Sequence, residues 1–220
     1  MNHYEFAPNI TQLGSFDGFA DNEDLEKEVG VFASDLDFVR AHCGPLALRF
    51  LDAVPATYHA FADASGLVAN CDIRLHYLQV GQYPASPGWH CDAAIRETVF
   101  DATAPTVPVS NNLIATISSS KEGVSNTEFS LAELSIDSEH VYGNDPLLWE
   151  EVDARYAAAP PRTLSTKDGI LYGFDGYSLH RAAAAKASGW RLFFRMSLWH
   201  PPTGHVPGVS SSEQIYNLVR

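Results

Sequence analysis

Basic residues are scarce in this chain. Lys and Arg number 14 against 27 Asp and Glu, a formal net charge of −13. A surface of that sign repels phosphate backbones, so no nucleic-acid partner is expected. Cysteine is scarce as well. Cys43, Cys71 and Cys91 form an odd set without a Cys-x-x-Cys pair, which excludes a zinc ribbon or a thioredoxin-type site and fits a reducing cytosol. No run approaches the roughly 18 consecutive apolar residues of a membrane span. The opening MNHYEFAPNITQ has neither a basic n-region nor an apolar h-region. The expectation is a cytoplasmic protein with no membrane partner and no secretory leader.

What is present is an ordinary globular composition, with 220 residues of which 45% are hydrophobic. That length suits a single domain over 1–220, large enough to bury its own core without a disulfide or metal staple. Residues 1–66 read as a mainly helical buttress, 67–199 as a β-barrel core, and 200–220 as a C-terminal loop. Within the first part, Leu25, Val29, Val31, Phe32, Leu36, Phe38 and Val39 recur at roughly helical spacing, with Gly44-Pro45 as the stop. A second helix is expected over 46–62, kinked or split by Pro55. After Gly66 the texture changes to β-branched and aromatic residues, and strands are expected at 73–80, 89–100, 112–119, 127–135, 169–174 and 190–199. Asp145 and Pro146 open one further short helix that runs to Ala159. Helices followed by many strands imply an α+β fold, an antiparallel barrel or sandwich buttressed by N-terminal helices.

The chemistry-bearing residues lie in the strand region. In His90-Cys91-Asp92 the period of a strand puts His90 and Asp92 on one side and Cys91 on the other. An imidazole and a carboxylate so placed are two-thirds of a facial metal site, which a distant histidine completes. His180 follows a strand and a tight turn at Asp175-Gly176. Downstream, Arg191 and Arg195 alternate with bulky apolar residues and share one face of a strand with Phe193 and Ser197. A buried arginine needs an anion. No acid lies nearby in sequence, and the guanidinium fork suits a ligand carboxylate. The plainer alternatives are His90 as a satisfied structural histidine with Asp92 as a turn or cap residue, His180 as a cap of the Asp175-Gly176 turn, and structural, salt-bridging roles for the two arginines. Tyr77, Gln79, Tyr83 and Trp89 could line a pocket or belong to the core. His76 shares a strand face with Arg74.

His90-x-Asp92, the later His180 and Arg191 eleven residues beyond it make the chain resemble the Fe(II)- and 2-oxoglutarate-dependent oxygenases over roughly residues 72–198. The spacing of Arg191 and Arg195 resembles the taurine dioxygenase branch. The resemblance implies a double-stranded β-helix of the jelly-roll or cupin-like kind. It implies iron on His90, Asp92 and His180, and cosubstrates 2-oxoglutarate and O2. Arg191 would bind the distal carboxylate of 2-oxoglutarate and Arg195 an anionic substrate. The family also sets a threonine, in a Gly-Gly-x-Thr-x-Phe segment, against that distal carboxylate. Here Ser125-Asn126-Thr127-Glu128-Phe129 keeps Thr-x-Phe without the glycines, and Thr127 is the matching residue. The implied activity is a dioxygenase that oxidises, by hydroxylation above all, an unactivated C–H bond of a small anionic or amino-acid-like substrate, releasing succinate and CO2. Family halogenases lack the carboxylate that Asp92 supplies, which argues against halogenation. The alternative is a cupin-like protein that binds a metal or small metabolite without 2-oxoglutarate chemistry. Cupins usually carry His-x-His with a following Glu and His, where this chain has His-x-Asp. A non-catalytic domain that keeps only the fold is a third possibility. Specificity is expected in the loops 81–89, 93–111 and 200–214.

Overall fold

A computed structural model describes residues 1–91, 112–140 and 146–199. The chain starts in β structure, with β1 (Asn2–Phe6) and β2 (Ile10–Ser15), before the short helix α1 (Asn22–Leu25). The helix expected from residue 22 to the Gly44-Pro45 stop is not continuous. Strand β3 (Val31–Ser34) interrupts it, and helix α2 (Leu36–His42) resumes after Asp35, whose carboxylate accepts the Phe38 N–H as an N-cap. The side chains that mimic a helical stripe at Val31 and Phe32 belong to an edge strand. Ala33 in that strand has φ of 49°, a left-handed conformation that a helix could not accept. The first 66 residues thus hold three strands, β1, β2 and β3, beside the four helices of the mainly helical segment expected there.

Pro55 splits the next helical stretch as expected, into α3 (Pro45–Ala53) and α4 (Ala56–Ser65), and Gly66 closes α4 in the left-handed conformation at φ 63°. Glu28 caps α3 from a distance: its carboxylate accepts the N–H of Gly44 at 3.1 Å and of Leu46 at 2.7 Å. Then follow β4 (Val68–Leu78), β5 (Asn112–Ser118), β6 (Thr127–Ser130), β7 (Leu134–Ser138), helix α5 (Leu147–Ala158), β8 (Thr163–Ser165), β9 (Ile170–Phe174), β10 (His180–Ala182) and β11 (Gly189–Trp199). The single strand expected over 127–135 is two strands, β6 and β7. They belong to different sheets, and the Ser130 hydroxyl takes the Ala132 N–H in the bend between them. Pro146 stands at the start of α5. Asp145, most of the strand expected at 89–100, and the loops 93–111 and 200–214 lie outside the described residues.

The fold mixes α and β, with mostly antiparallel sheets. Among the described residues six strands form the large sheet in the order β2-β9-β5-β11-β4-β3, three form a small sheet in the order β10-β6-β8, and β1 pairs with β7. His90 joins the small sheet by an antiparallel bridge to His180. Among the described residues the sheets do not close into the barrel expected over 67–199. The small-sheet strands hold three or four residues, whereas β4 and β11 hold eleven each.

Strand alternation sorts the large sheet into two faces. Ile73, Leu113, Ala115, Ile117, Leu192, Phe194 and Met196 pack with Leu46, Phe50, Leu51, Tyr58 and Ala62 of α3 and α4. The rings of Phe50 and Phe194 stack at 4.8 Å. Each of these fully buried aromatics contributes roughly 1.5–3 kcal/mol, which is enough to fix the helices on this face. The other face turns to the small sheet, where the rings of Phe129 and Phe174 meet at 5.0 Å. That face carries the polar residues. No helix among the described residues is long and apolar enough to cross a membrane.

Candidate metal and anion site

The small sheet brings the two histidines together. His90 N–H donates to the His180 carbonyl at 3.0 Å, and His180 N–H to the His90 carbonyl at 2.8 Å. Directly opposed side chains in an antiparallel pair lie on the same face, and the two imidazole centroids are 4.6 Å apart, inclined at 55°. Each ring is also oriented by its own chain. His90 Nδ1 lies 2.8 Å from the Gly88 carbonyl and His180 Nδ1 lies 3.0 Å from the Ser178 carbonyl. A carbonyl only accepts, so Nδ1 is the donor in each ring, and a neutral imidazole in either place carries its lone pair on Nε2. This is the tautomer a metal-ligating histidine needs, set by backbone oxygens. Phe129 and Phe174 wall His180 at 5.5 and 5.3 Å.

Asp92, the third expected ligand, lies outside the described residues. Among the described residues no three His, Cys, Asp or Glu side chains gather in a group able to hold a metal ion. Cys91 is buried in an apolar cluster with Trp89, Leu148 and Leu179, and none of the three cysteines forms a disulfide.

Both histidines line a cavity of about 220 Å³ between the sheets, together with Thr127, Arg191, Arg195, Arg74 and His76. At roughly 30 Å³ per water that is room for a small metabolite. Arg191 is 3% exposed. Its Nε donates to the Ser125 carbonyl at 2.9 Å and its guanidinium lies 4.9 Å from the Phe193 ring. No carboxylate among the described residues lies within ion-pair distance of it. Burial pushes its pKa down to about 10, with Asp168 pulling it up and Arg74 pushing it down, so it stays charged at neutral pH. Thr127 is buried beside it on β6, its backbone N–H bonded to the Thr166 hydroxyl at 3.0 Å.

Arg195 has a protein partner. Asp72 lies opposite it on β4, and the Asp72 Oδ2 accepts from Arg195 Nε at 3.0 Å and also from Nη2. The sequence shows no acid near Arg195 because this one arrives across the sheet. Arg181, not singled out from sequence, is engaged likewise: its Nε and Nη2 donate to Glu128 at 2.9 and 2.8 Å.

His76 and Arg74 carry a stronger signal than their sequence context gave them. His76 is 2% exposed and opposite Arg191 on the neighbouring strand. Burial, with Arg191 and Arg74 close by, holds its pKa down at about 3, so the ring is neutral. Its Nδ1 is buried without a hydrogen-bond partner among the described residues. Their period-two spacing with Asp72 was the only hint that all three share the cavity face. Of the aromatics weighed from sequence, Trp89 is core, and Tyr77 is 46% exposed and packs edge-on against Trp190 at 5.3 Å.

No protein-family model, curated protein or solved structure matches the chain.

Proposed function

We propose that this chain is an Fe(II)- and 2-oxoglutarate-dependent dioxygenase that hydroxylates an unactivated C–H bond of a small substrate. The observation that carries the reading is the pair His90 and His180, with their Nδ1 protons tied to backbone carbonyls, on the same cavity as a buried Arg191 that lacks a carboxylate partner among the described residues. The donor set fits the metal: two neutral imidazoles with Nε2 lone pairs, and a carboxylate two residues after the first histidine in sequence. His90, Asp92 and His180 would hold the iron.

Bound iron supplies O2 activation, coupled to conversion of 2-oxoglutarate to succinate and CO2 and transfer of one oxygen atom to the substrate. The chain's own residues do the rest. Gly88 and Ser178 fix the two imidazoles before any ligand arrives, so little ordering is needed on binding. Arg191, aimed by Ser125 and braced on Phe193, neutralises one end of a dicarboxylate in a site where water screens it poorly. Phe129 and Phe174 keep one side of the site dry.

The path of the chain supports a double-stranded β-helix. From β4 to β11 the core segments alternate between sheets: β4 large, His90 small, β5 large, β6 and β8 small, β9 large, β10 small, β11 large. The test is aerobic incubation of the protein with Fe(II), 2-oxoglutarate and excess ascorbate, which supplies the two electrons that reduce the second oxygen atom when no substrate takes it. Succinate and CO2 should form in equal amounts and cease in His180→Ala. No succinate from the folded wild-type protein would contradict the assignment.

A further inference from the structure

Four arginines line the cavity, in a chain whose net charge is −13. Two are neutralised by the protein, Arg195 by Asp72 and Arg181 by Glu128. Arg191 and Arg74 are not paired with any carboxylate among the described residues. On the function proposed above, Arg191 is occupied by the cosubstrate, which leaves one cationic group over.

Arg74 lies two residues along β4 from His76 and two from Asp72, on the same strand face. Its cross-strand partner is Phe193, so it stands diagonal to Arg191 and to Arg195. Such diagonal positions are about 7–8 Å apart at the backbone, separate enough for two anionic groups. His76 adjoins both, two residues from Arg74 along β4 and directly opposite Arg191 on β11. A neutral imidazole has one proton. Placing it on Nδ1 would bury an N–H donor with no acceptor among the described residues, whereas placing it on Nε2 leaves only a lone pair unmet there. His76 therefore adds an N–H donor, not a third charge, to a site already rich in cations. Asp72, the acid nearest along the strand, is held by Arg195 and by the Ala33 N–H at 2.9 Å.

We infer that Arg74, assisted by the N–H of His76, is the anchor for an anionic group of the oxidised substrate, and that Arg195 supports this wall through Asp72. The inference rests on the dioxygenase reading. The substrate class is a small organic acid whose carboxylate, sulfonate or phosphate sits apart from the anion on Arg191. An uncompensated guanidinium facing a cavity attracts any of these through charge-assisted hydrogen bonds.

The test uses the 220-residue chain loaded with Fe(II) under anaerobic conditions, with inorganic sulfate as the probe. Sulfate affinity is read from the melting-temperature shift at constant ionic strength, with and without saturating 2-oxoglutarate. Wild type should bind sulfate in both conditions. Arg74→Gln should weaken the binding that survives 2-oxoglutarate by about tenfold or more, while 2-oxoglutarate affinity changes less than about threefold. Arg74→Lys, which keeps the charge, should retain part of it and guards against a folding artefact. Unchanged sulfate binding in Arg74→Gln would overturn the inference. So would a loss of 2-oxoglutarate affinity as large as that in Arg191→Gln, because Arg74 would then serve the cosubstrate. Absence of 2-oxoglutarate binding to wild type, with sulfate still lost in Arg74→Gln, would count against the dioxygenase reading and leave an anion site at Arg74.

Discussion

His90 and His180 face each other across an antiparallel bridge, exchanging both backbone hydrogen bonds, with their ring centroids 4.6 Å apart. The pairing register, not a local motif, makes them neighbours. A slip of one residue would turn one imidazole to the opposite face. The bulky neighbours prevent it: Leu179 is buried in the cluster that holds Trp89 and Cys91, so the histidines are left to the cavity side.

Arg195 depends on Asp72 for its place. Asp72 is 4% exposed and also holds the Ala33 N–H of the edge strand. Asp72→Asn should therefore lower unfolding stability by roughly 2–3 kcal/mol, below the 3–5 of a fully buried pair because Arg195 keeps some contact with water. Urea denaturation measures this. A loss under about 0.5 kcal/mol would mean the pair is not structural and that Arg195 is available to a ligand.

His76 makes the protein acid-sensitive. Its pKa is held down at about 3, against 6.5 in the unfolded chain. Below pH 6.5 the unfolded state takes up a proton that the folded state refuses. Stability from this group is thus complete above pH 6.5 and falls toward pH 3, by at most about 1.4 kcal/mol per pH unit. Denaturation midpoints between pH 7 and pH 5 should fall less steeply in His76→Gln than in wild type. Parallel profiles would show that His76 is protonated in the folded protein.

Much of the fold was legible where side chains repeat. The alternation in 190–199 marks β11, and Pro55 and Gly66 mark helix ends, because these signals depend only on local backbone preference. Val31 and Phe32 misled because a short apolar run fits a helix face and an edge strand equally well. Strands β8 and β10, three residues each, are too short to show a period. At the site, the order His90, His180, Arg191 was readable. The partner of Arg195 was not, since Asp72 lies 123 residues away in sequence and meets it only through strand pairing. The significance of Arg74 was hidden for the same reason. An arginine's lack of a partner is a property of the assembled cavity.

The proposed activity requires His90 and His180 to share one Fe(II) while Arg191 holds 2-oxoglutarate beside it. Anaerobic titration of the protein with Fe(II) and 2-oxoglutarate, followed in the visible, tests this most directly. A weak metal-to-ligand charge-transfer band should appear in wild type and be absent from His90→Ala and His180→Ala. In Arg191→Ala, iron should still bind but the band should need far more 2-oxoglutarate, about 30-fold or more, the scale expected when one partner of a buried charge pair is removed. An undiminished band in either histidine variant, or equal 2-oxoglutarate affinity in Arg191→Ala, would contradict it.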